Sequence, residues 1–469
     1  MKKTRKLLAL SLLFLFSFGF VTLMLPAASG FVLYLTPQQS VSVCDVTHCF
    51  YVSTTGSDAT GNGSSNNPFL TITHAISVGD SSDPNNSTVI VGPGTYDEMV
   101  VIINYKITLM SLTGQPSNTI INATGQPVGI IIAGPATAGS IVEGFTVEYA
   151  NNHGIYVQDS SKVIIENNVA NGNGVDVIAG LGEDKAIQLA GTSGSTVAGN
   201  TVVGNEYGGI GITDDGPYPP SWNYTQVPIS GVPAPTLNPG DGNLISGNYI
   251  AENKPNHCAI VISAYNPGGG VSNNLVSDNV VVDNENGVIV AADTGNTVVK
   301  NNTVIGNQIL NNGEGGIILH SNAPGDAVVG NVFMDNVISG NGPYEASPTT
   351  MWGIILGGFG PVAVVNTTII GNTFANENIG IVVVNGNNTM LSGNIMTPTV
   401  LKATNGTVTS MTTTTAMTSS SSTSTTSGVS TTTFDVIVGV LILIDVIIVG
   451  IFFVFRRKPA SPAAAPKTS

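Results

Sequence analysis

Apolar and polar positions along this chain follow a short repeating pattern. Within residues 278–319 it occurs twice, as DNVVVDNENGVIV from Asp278 and GNQILNNGEGGIIL from Gly306. The shared form is [G/D]-N-x-[V/I]-x-x-N, a short polar turn, then G-[I/V]-x-[V/L]. Segments of the G-[I/V]-x-[V/I/L] type, some with Ala for Gly, begin at Gly129, Gly154, Ala186, Gly209, Ala259, Gly287, Gly316, Gly353 and Gly380, most of them 23 to 32 residues apart. Self-similarity at that period predicts a solenoid. Helical repeats of this length require a 3.6-residue period and strong helix formers. Here β-branched residues alternate with polar turns, which predicts three short strands and three turns per repeat. In such a strand Ile155 and Val157 point inward and Tyr156 outward. Coils stack about 4.8 Å apart.

Asn168, Asn200, Asn248, Asn279, Asn302, Asn307, Asn336, Asn372 and Asn394 precede strand-like residues. Asn tolerates the left-handed backbone of a sharp turn, and its amide can bond the same group one coil away. These positions are expected to form structural ladders rather than ligand sites.

Residues 50–103 carry FYVSTTGSDATGNGSSNNPFLTITHAISVG and then TVIVGPGTYDEMVVI. Residues 71–78 suit a short helix with Ile72, Ala75 and Ile76 on one face, and an open solenoid end needs such cover. This opening resembles the amino-terminal cap and first coil of right-handed parallel β-helix proteins of the pectate-lyase-like superfamily, in particular exported NosD-like surface proteins. The resemblance spans roughly residues 50–398. It implies an all-β fold, a right-handed single-stranded parallel β-helix with an N-terminal cap, and says little about activity.

The ends predict where that solenoid sits. Residues 1–30 read as a secretory signal or an N-terminal membrane segment, basic at first and then apolar over residues 7–25. Residues 31–103 form the cap and first coil, and 104–398 the β-helix. Residues 399–433 are a Ser/Thr-rich stalk that cannot bury a core. Residues 434–455 are apolar enough for a transmembrane helix. Arg456, Arg457 and Lys458 then begin a tail, 456–469, that the positive-inside rule leaves in the cytoplasm. Asp445 within the span suggests helix–helix contact. The expected location is the cell membrane with the β-helix outside.

Charge narrows the partners. Between the two apolar ends lie six Lys, no Arg and 27 acids, a formal charge of −21. Nucleic acid, which needs Lys or Arg to replace its counterions, is excluded. Cations and neutral glycans are tolerated. Cys44 and Cys49 suit a small disulfide loop in an exported chain. His48 beside them offers metal ligation as the alternative, at no usual zinc spacing. Cys258 reads as a small buried apolar residue. Sequons at Asn62, Asn85, Asn86, Asn122, Asn223, Asn301, Asn366, Asn387 and Asn405 are candidate glycosylation sites.

Aligning the coils on their Gly-Ile segments gives two columns. The first, just before Gly or Ala, runs His153, Lys185, Gly208, Cys258, Asn286, Gly315, Trp352, Ile379. His153 and Lys185 fall one coil apart, Asp214 and Asp215 just beyond the next strand, and His257 near the one after. Carboxylates could act as acid and base on glycosidic bonds, and a Lys could abstract a proton from a uronic acid. The resemblance implies other sets, however: an Arg base with Ca²⁺-binding Asp clusters, or Asp residues with a Gly-His-Gly. The region has no Arg, and His153 is followed but not preceded by Gly. A turn-forming role for Asp214-Asp215-Gly216 is the alternative. No cofactor is expected, with Ca²⁺ at the acidic loops as the alternative, though no regular Asp repeat supports it. The second column, outward in the same strands, becomes an unbroken apolar stripe over Val261, Ile289, Ile318, Ile355 and Val382. It is either covered within the chain or a self-association face. Two Pro-bearing loops, 213–243 and 341–352, hold Trp222, Tyr224 and Trp352, which either stack on sugar rings or pack on that stripe. Two functions follow: a surface protein binding glycans or envelope partners, and an external polysaccharide lyase or glycoside hydrolase. The incomplete catalytic sets favour binding.

Overall fold

The computed structural model describes residues 48–82, 87–175, 185–216, 231–253, 258–342, 352–357, 364–397, 401–410 and 414–415. By internal contacts the chain divides into Met1–Ala416 and Met417–Ser469, and every described residue lies in the first unit. The signal, membrane segment and tail lie outside the described residues. Of the expected stalk, residues 401–410 and 414–415 are described and continue the β-helix past residue 398: the strand Leu401–Ser410 pairs in parallel with Ile379–Ser392, and Thr414–Thr415 with Ile395–Thr397. Among those described, no helix is long and apolar enough to cross a membrane.

The fold is built from a five-residue side. In Asp278-Asn279-Val280-Val281-Val282, Asp278 turns the chain with a left-handed φ of 57°. Asn279 and Val281 are buried, while Val280 and Val282 face outward and are half-buried. The same unit recurs at Gly247, Gly306, Asp335 and Gly371, all with positive φ. This corrects one expectation. The left-handed residue is the one before the ladder Asn, where Gly, Asp or Asn is tolerated. The ladder Asn itself has negative φ and turns its amide inward. Asn279 Nδ2 donates to Asn307 Oδ1 of the next coil at 2.9 Å and to the Ile245 carbonyl at 3.0 Å. Asn307 Oδ1 also accepts from the Asn279 amide N–H at 2.9 Å. Each buried amide is thus satisfied at a corner where backbone groups would otherwise be orphaned.

Strands of successive coils pair in parallel and in register. Side one contains Leu244–Ser246, Leu275–Ser277 and Thr303–Ile305. Side two contains Tyr249–Ala251, Val280–Val282 and Gln308–Leu310. Side three carries the Gly-Ile segments, such as Cys258–Ala264, Asn286–Ala292 and Ile317–Ser321. The period predicted three strands per coil; later coils have four. Gly270–Ser272, Val298–Lys300 and Ala327–Val329 form a side four between sides three and one. It starts as single bridges, Ser161 to Ser193 to Asp241. Its cause is a further ladder, Asn243, Asn274, Asn302 and Asn331, whose Asn turns an added corner. Another ladder, from Asn173 through Asn205, Asn253, Asn284 and Asn312 to Asn341, turns the corner after side two.

Inward residues from every side, among them Ile155, Leu189, Ile262, Val281 and Phe333, make one continuous buried core. At the N-terminal end the helix Ile72–Ser82 buries Ile72, Ala75 and Ile76. It contacts the strands Cys49–Val52, Ser87–Val91 and Val100–Ile102. Glu98 accepts from the free amides of Ile72 at 2.8 Å and Thr73 at 2.9 Å, which fixes the helix start. The Tyr105 hydroxyl bonds the Ile76 carbonyl.

Candidate functional site on the outer face of side three

Side three places both columns as the spacing required. Tyr156 pairs in register with Gln188, Gln188 with Gly211, Gly211 with Val261, and so on to Val382. The apolar stripe is covered rather than open. Val261, Ile318, Ile355 and Val382 are buried and Ile289 is half-buried.

In the first column His153 and Lys185 meet through backbone. His153 Nδ1 lies 3.2 Å from the Lys185 amide nitrogen and 3.0 Å from its carbonyl oxygen. Burial pushes the imidazole down to about 4, so it is neutral at physiological pH. Its ring stacks on Tyr156, centroids 4.7 Å apart and planes 13° from parallel. Both rings are partly exposed. The Lys185 side chain is buried and points along the sheet, Nζ 3.4 Å from the Tyr207 carbonyl. Gln188 donates to Thr213 Oγ1 at 2.8 Å, and its Oε1 is buried without a partner.

The acids occupy the other end of the strands. Asp214 accepts from the amides of Tyr265 at 2.8 Å and Asn266 at 3.1 Å, fixing the turn of the next coil. Burial nevertheless raises it to about 6. Asp215 accepts from the Gly216 amide at 2.9 Å, and its Oδ2 is buried without a partner. Burial, then the charge of Asp159, raises it to about 8. Lys185 lies against Gly211, three residues before Asp214, so its side chain and those acids are roughly 10 Å apart along the strand. Lys185, His153, Asp214 and Asp215 are therefore not assembled around one point. His257, Trp222 and Tyr224 lie outside the described residues. Trp352 is half-buried in its strand, in register with Ile379.

Two features escaped the sequence. Residues 231–239, the return limb of the first Pro-bearing loop, form a strap on this face. Val232 packs beside Ile131 and Ile103. Gln158 donates to the Pro233 carbonyl at 3.0 Å. Asp159 accepts from the Thr236 amide at 2.9 Å and from Asn238 Nδ2 at 2.7 Å, and Asn238 pairs with Asp215 in an antiparallel bridge. The crossing needs Gly191. At φ 59°, a Cβ there would lie 2.7 Å from Asp215 Cβ and 2.8 Å from Asp159 Oδ1. The second feature joins residues of neighbouring coils. Ser263 donates to Asp293; Asn322 Nδ2 donates to Asp293 Oδ1 at 2.6 Å, and His320 Nδ1 is 3.8 Å from that oxygen. Separations of 75 to 79 residues in the strap and near 30 in the second set hide both from local motifs. Only the coil register links them. Among the described residues no group of three or more His, Cys, Asp or Glu has metal-binding geometry.

Of the sequons, Asn62, Asn301, Asn366 and Asn387 are exposed. Asn122 is half-buried and donates its amide to Asp97 at 2.7 Å. Asn405 lies in the strand Leu401–Ser410. Asn85, Asn86 and Asn223 lie outside the described residues. Cys49 is disulfide-bonded, and Cys258 is buried and in no disulfide; Cys44 lies outside the described residues.

The family model for the right handed beta helix region matches residues 65–221 and 117–304, together just over half of the chain. No curated protein matches it in sequence. Solved structures similar in fold include the A-module of mannuronan C-5 epimerase AlgE4 from Azotobacter vinelandii, at TM-score 0.45 and 14% identity over 73% of this chain and 94% of that one. PfbA, a surface adhesin of Streptococcus pneumoniae, has TM-score 0.45 and 14% identity over 72% and 85%. The Dettilon tailspike protein has TM-score 0.45 and 16% identity over 76% and 68%.

Proposed function

This chain belongs to the right handed beta helix family, and on that premise we propose that it binds saccharide chains at the cell surface without cleaving them. The stacked His153–Tyr156 pair on the outer face of side three carries the reading. A flat, partly exposed aromatic pair packs against a sugar ring. The acids that hydrolysis needs are buried rather than open to a substrate: the Asp214 carboxyl holds a turn, and Asp215, whose backbone makes the strap's bridge, bonds its carboxyl to the Gly216 amide. Side chains that hold backbone in place are poor partners for a proton shuttle.

The β-helix stands outside the cell. Residues 1–30 export it, the Ser/Thr-rich residues 416–433 form a stalk beyond the last paired strands, 434–455 anchor it and 456–469 lie inside. Residues 31–103 close its N-terminal end, a role that the buried face of the helix Ile72–Ser82 supports. The exposed Asn62, Asn301, Asn366 and Asn387 are the sequons best placed to carry glycans.

Intact cells displaying the full chain test this with a panel of labelled polysaccharides. Binding to at least one is expected, removable by external protease, weakened roughly tenfold by Tyr156→Ala, and without new reducing ends or unsaturated products. Turnover that Lys185→Ala abolishes would establish the lyase or hydrolase instead.

A further inference from the structure

Sides one and two both show water no charge along the later coils, and the uncharged run is longer on side two. Eight of its strands, from Val169–Asn171 to Ile395–Thr397, stack in register. Their central residues are buried, so the first and third residues of each form the outer surface. Thr201, Tyr249, Val280, Leu310 and Val337 are typical of it, with Tyr249 45% and Val337 42% exposed. From Val169 to Ile395 no described outward residue of this side is charged. The acids of these coils stand at the corners instead, as exposed Asp278 and Asp335 on one edge and Glu252 and Asp283 on the other.

We propose that side two is a self-association face on which a second copy of this chain packs side by side. Three observations select a copy over another occupant. The first is charge: two copies that each carry −21 between their apolar ends repel one another, and a neutral face is where they can meet. The second is pitch. The face is ridged about every 4.8 Å, and a second copy presents ridges of the same spacing, so side chains interdigitate along the full length. The third is area. Eight coils of a five-residue side give about 34 by 16 Å, so two copies bury roughly 1,100 Å² or more, enough for a specific contact. The exposed sequons Asn301, Asn366 and Asn387 cluster at the corner between sides four and one, away from these eight strands. The contact is apolar with an acidic rim, so salt strengthens it by screening the rim. A contact made of ion pairs would weaken.

The full chain carrying Tyr249→Cys or Val337→Cys, alone and mixed, tests the face with a short thiol-reactive cross-linker. Leu70→Cys, equally exposed near the N-terminal end, is the control. The expected result is dimer from the side-two variants, at least fivefold above the control and rising with salt. It should fall to the control level when Val280→Lys is added. Sheet content and the unfolding midpoint of the Lys variant report that its fold is intact. Cross-linking no better than Leu70→Cys, dimer that falls with salt, or dimer that persists in a folded Val280→Lys background overturns the proposal. These readouts need no saccharide and are independent of binding at His153 and Tyr156.

Discussion

At the scale of single residues, the buried carboxyls make this protein a proton-binding one. Asp214, Asp215 and Glu377 are raised by burial to about 6, 8 and 7, so the folded chain holds protons that the unfolded chain has released. A raised acid contributes stability that is complete below its unfolded value and lost as pH climbs through the folded one. His153 works the other way. Lowered to about 4, it removes stability as pH falls below 6.5. Between pH 6.5 and 8 the acids therefore act alone, since ordinary carboxyls are already ionised. The unfolding midpoint should fall across that window. Asp215→Asn, a neutral stand-in for the protonated acid, should flatten the slope while leaving the fold intact. Thermal melts at half-unit steps would decide it, and an unchanged slope in the variant would mean that Asp215 does not carry the proton. Glu377 shows how such a residue arises. It takes the place of Asn at the end of a ladder, accepting from Asn341 Nδ2 at 2.9 Å, and its second oxygen is left buried without a partner. The ladder Asn residues could be read from sequence because their spacing matches the coil. Their backbone was misread because Gly, Asp and Asn all suit a left-handed turn, and Asn occurs on both sides of that step.

At the scale of elements, registers were legible and coverings were not. The Gly-Ile spacing fixed every pairing on side three from His153 to Ile379, because a one-residue slip would turn the core face outward. What lies over a column depends on insertions that obey no repeat. Hence the sequence offered both a covered stripe and a self-association face from Val261 to Val382, and the stripe is largely buried. Side four was hidden for a related reason: its strands are two or three residues long and lack the Gly-Ile mark. The strap at 231–239 was hidden by distance, since Asp159 meets Thr236 across 77 residues. Charged hydrogen bonds hold that strap, so it should open as a unit of its own. Asp159→Ala removes the acceptor for Thr236 and Asn238 and should speed exchange of the Thr236 amide roughly 10- to 100-fold. Ladder amides such as Asn279 should not change. If exchange accelerated everywhere together, strap and coils would be one cooperative unit.

At the scale of the whole solenoid unit, each coil touches only its neighbours, and one consequence is open to direct test. Asn279 bonds Asn307 across 28 residues, and so do Asn284 with Asn312 and Asn274 with Asn302. Removing residues 279–306 deletes that period once and joins Asp278 to Asn307. Asn248 then meets Asn307, Asn253 meets Asn312, Asn274 meets Asn331 and the strand Cys258–Ala264 meets Ile317–Ser321. Every ladder closes again, and the inward positions Ile262 and Leu319 come together in place of Ile262 and Val290. Stability in a solenoid is nearly a sum over coils and their interfaces. The shortened chain should therefore keep its parallel sheet, melt cooperatively and lose about one coil's share of stability. Deleting residues 279–292, half the period, sets core residues against corners and should leave a chain that does not fold. Circular dichroism with denaturant titration of both deletions separates the cases. A folded half-period variant, or an unfolded full-period one, would mean that the ladders do not set the register, and the columns built on them, including the His153–Tyr156 site and the neutral face of side two, would lose their basis.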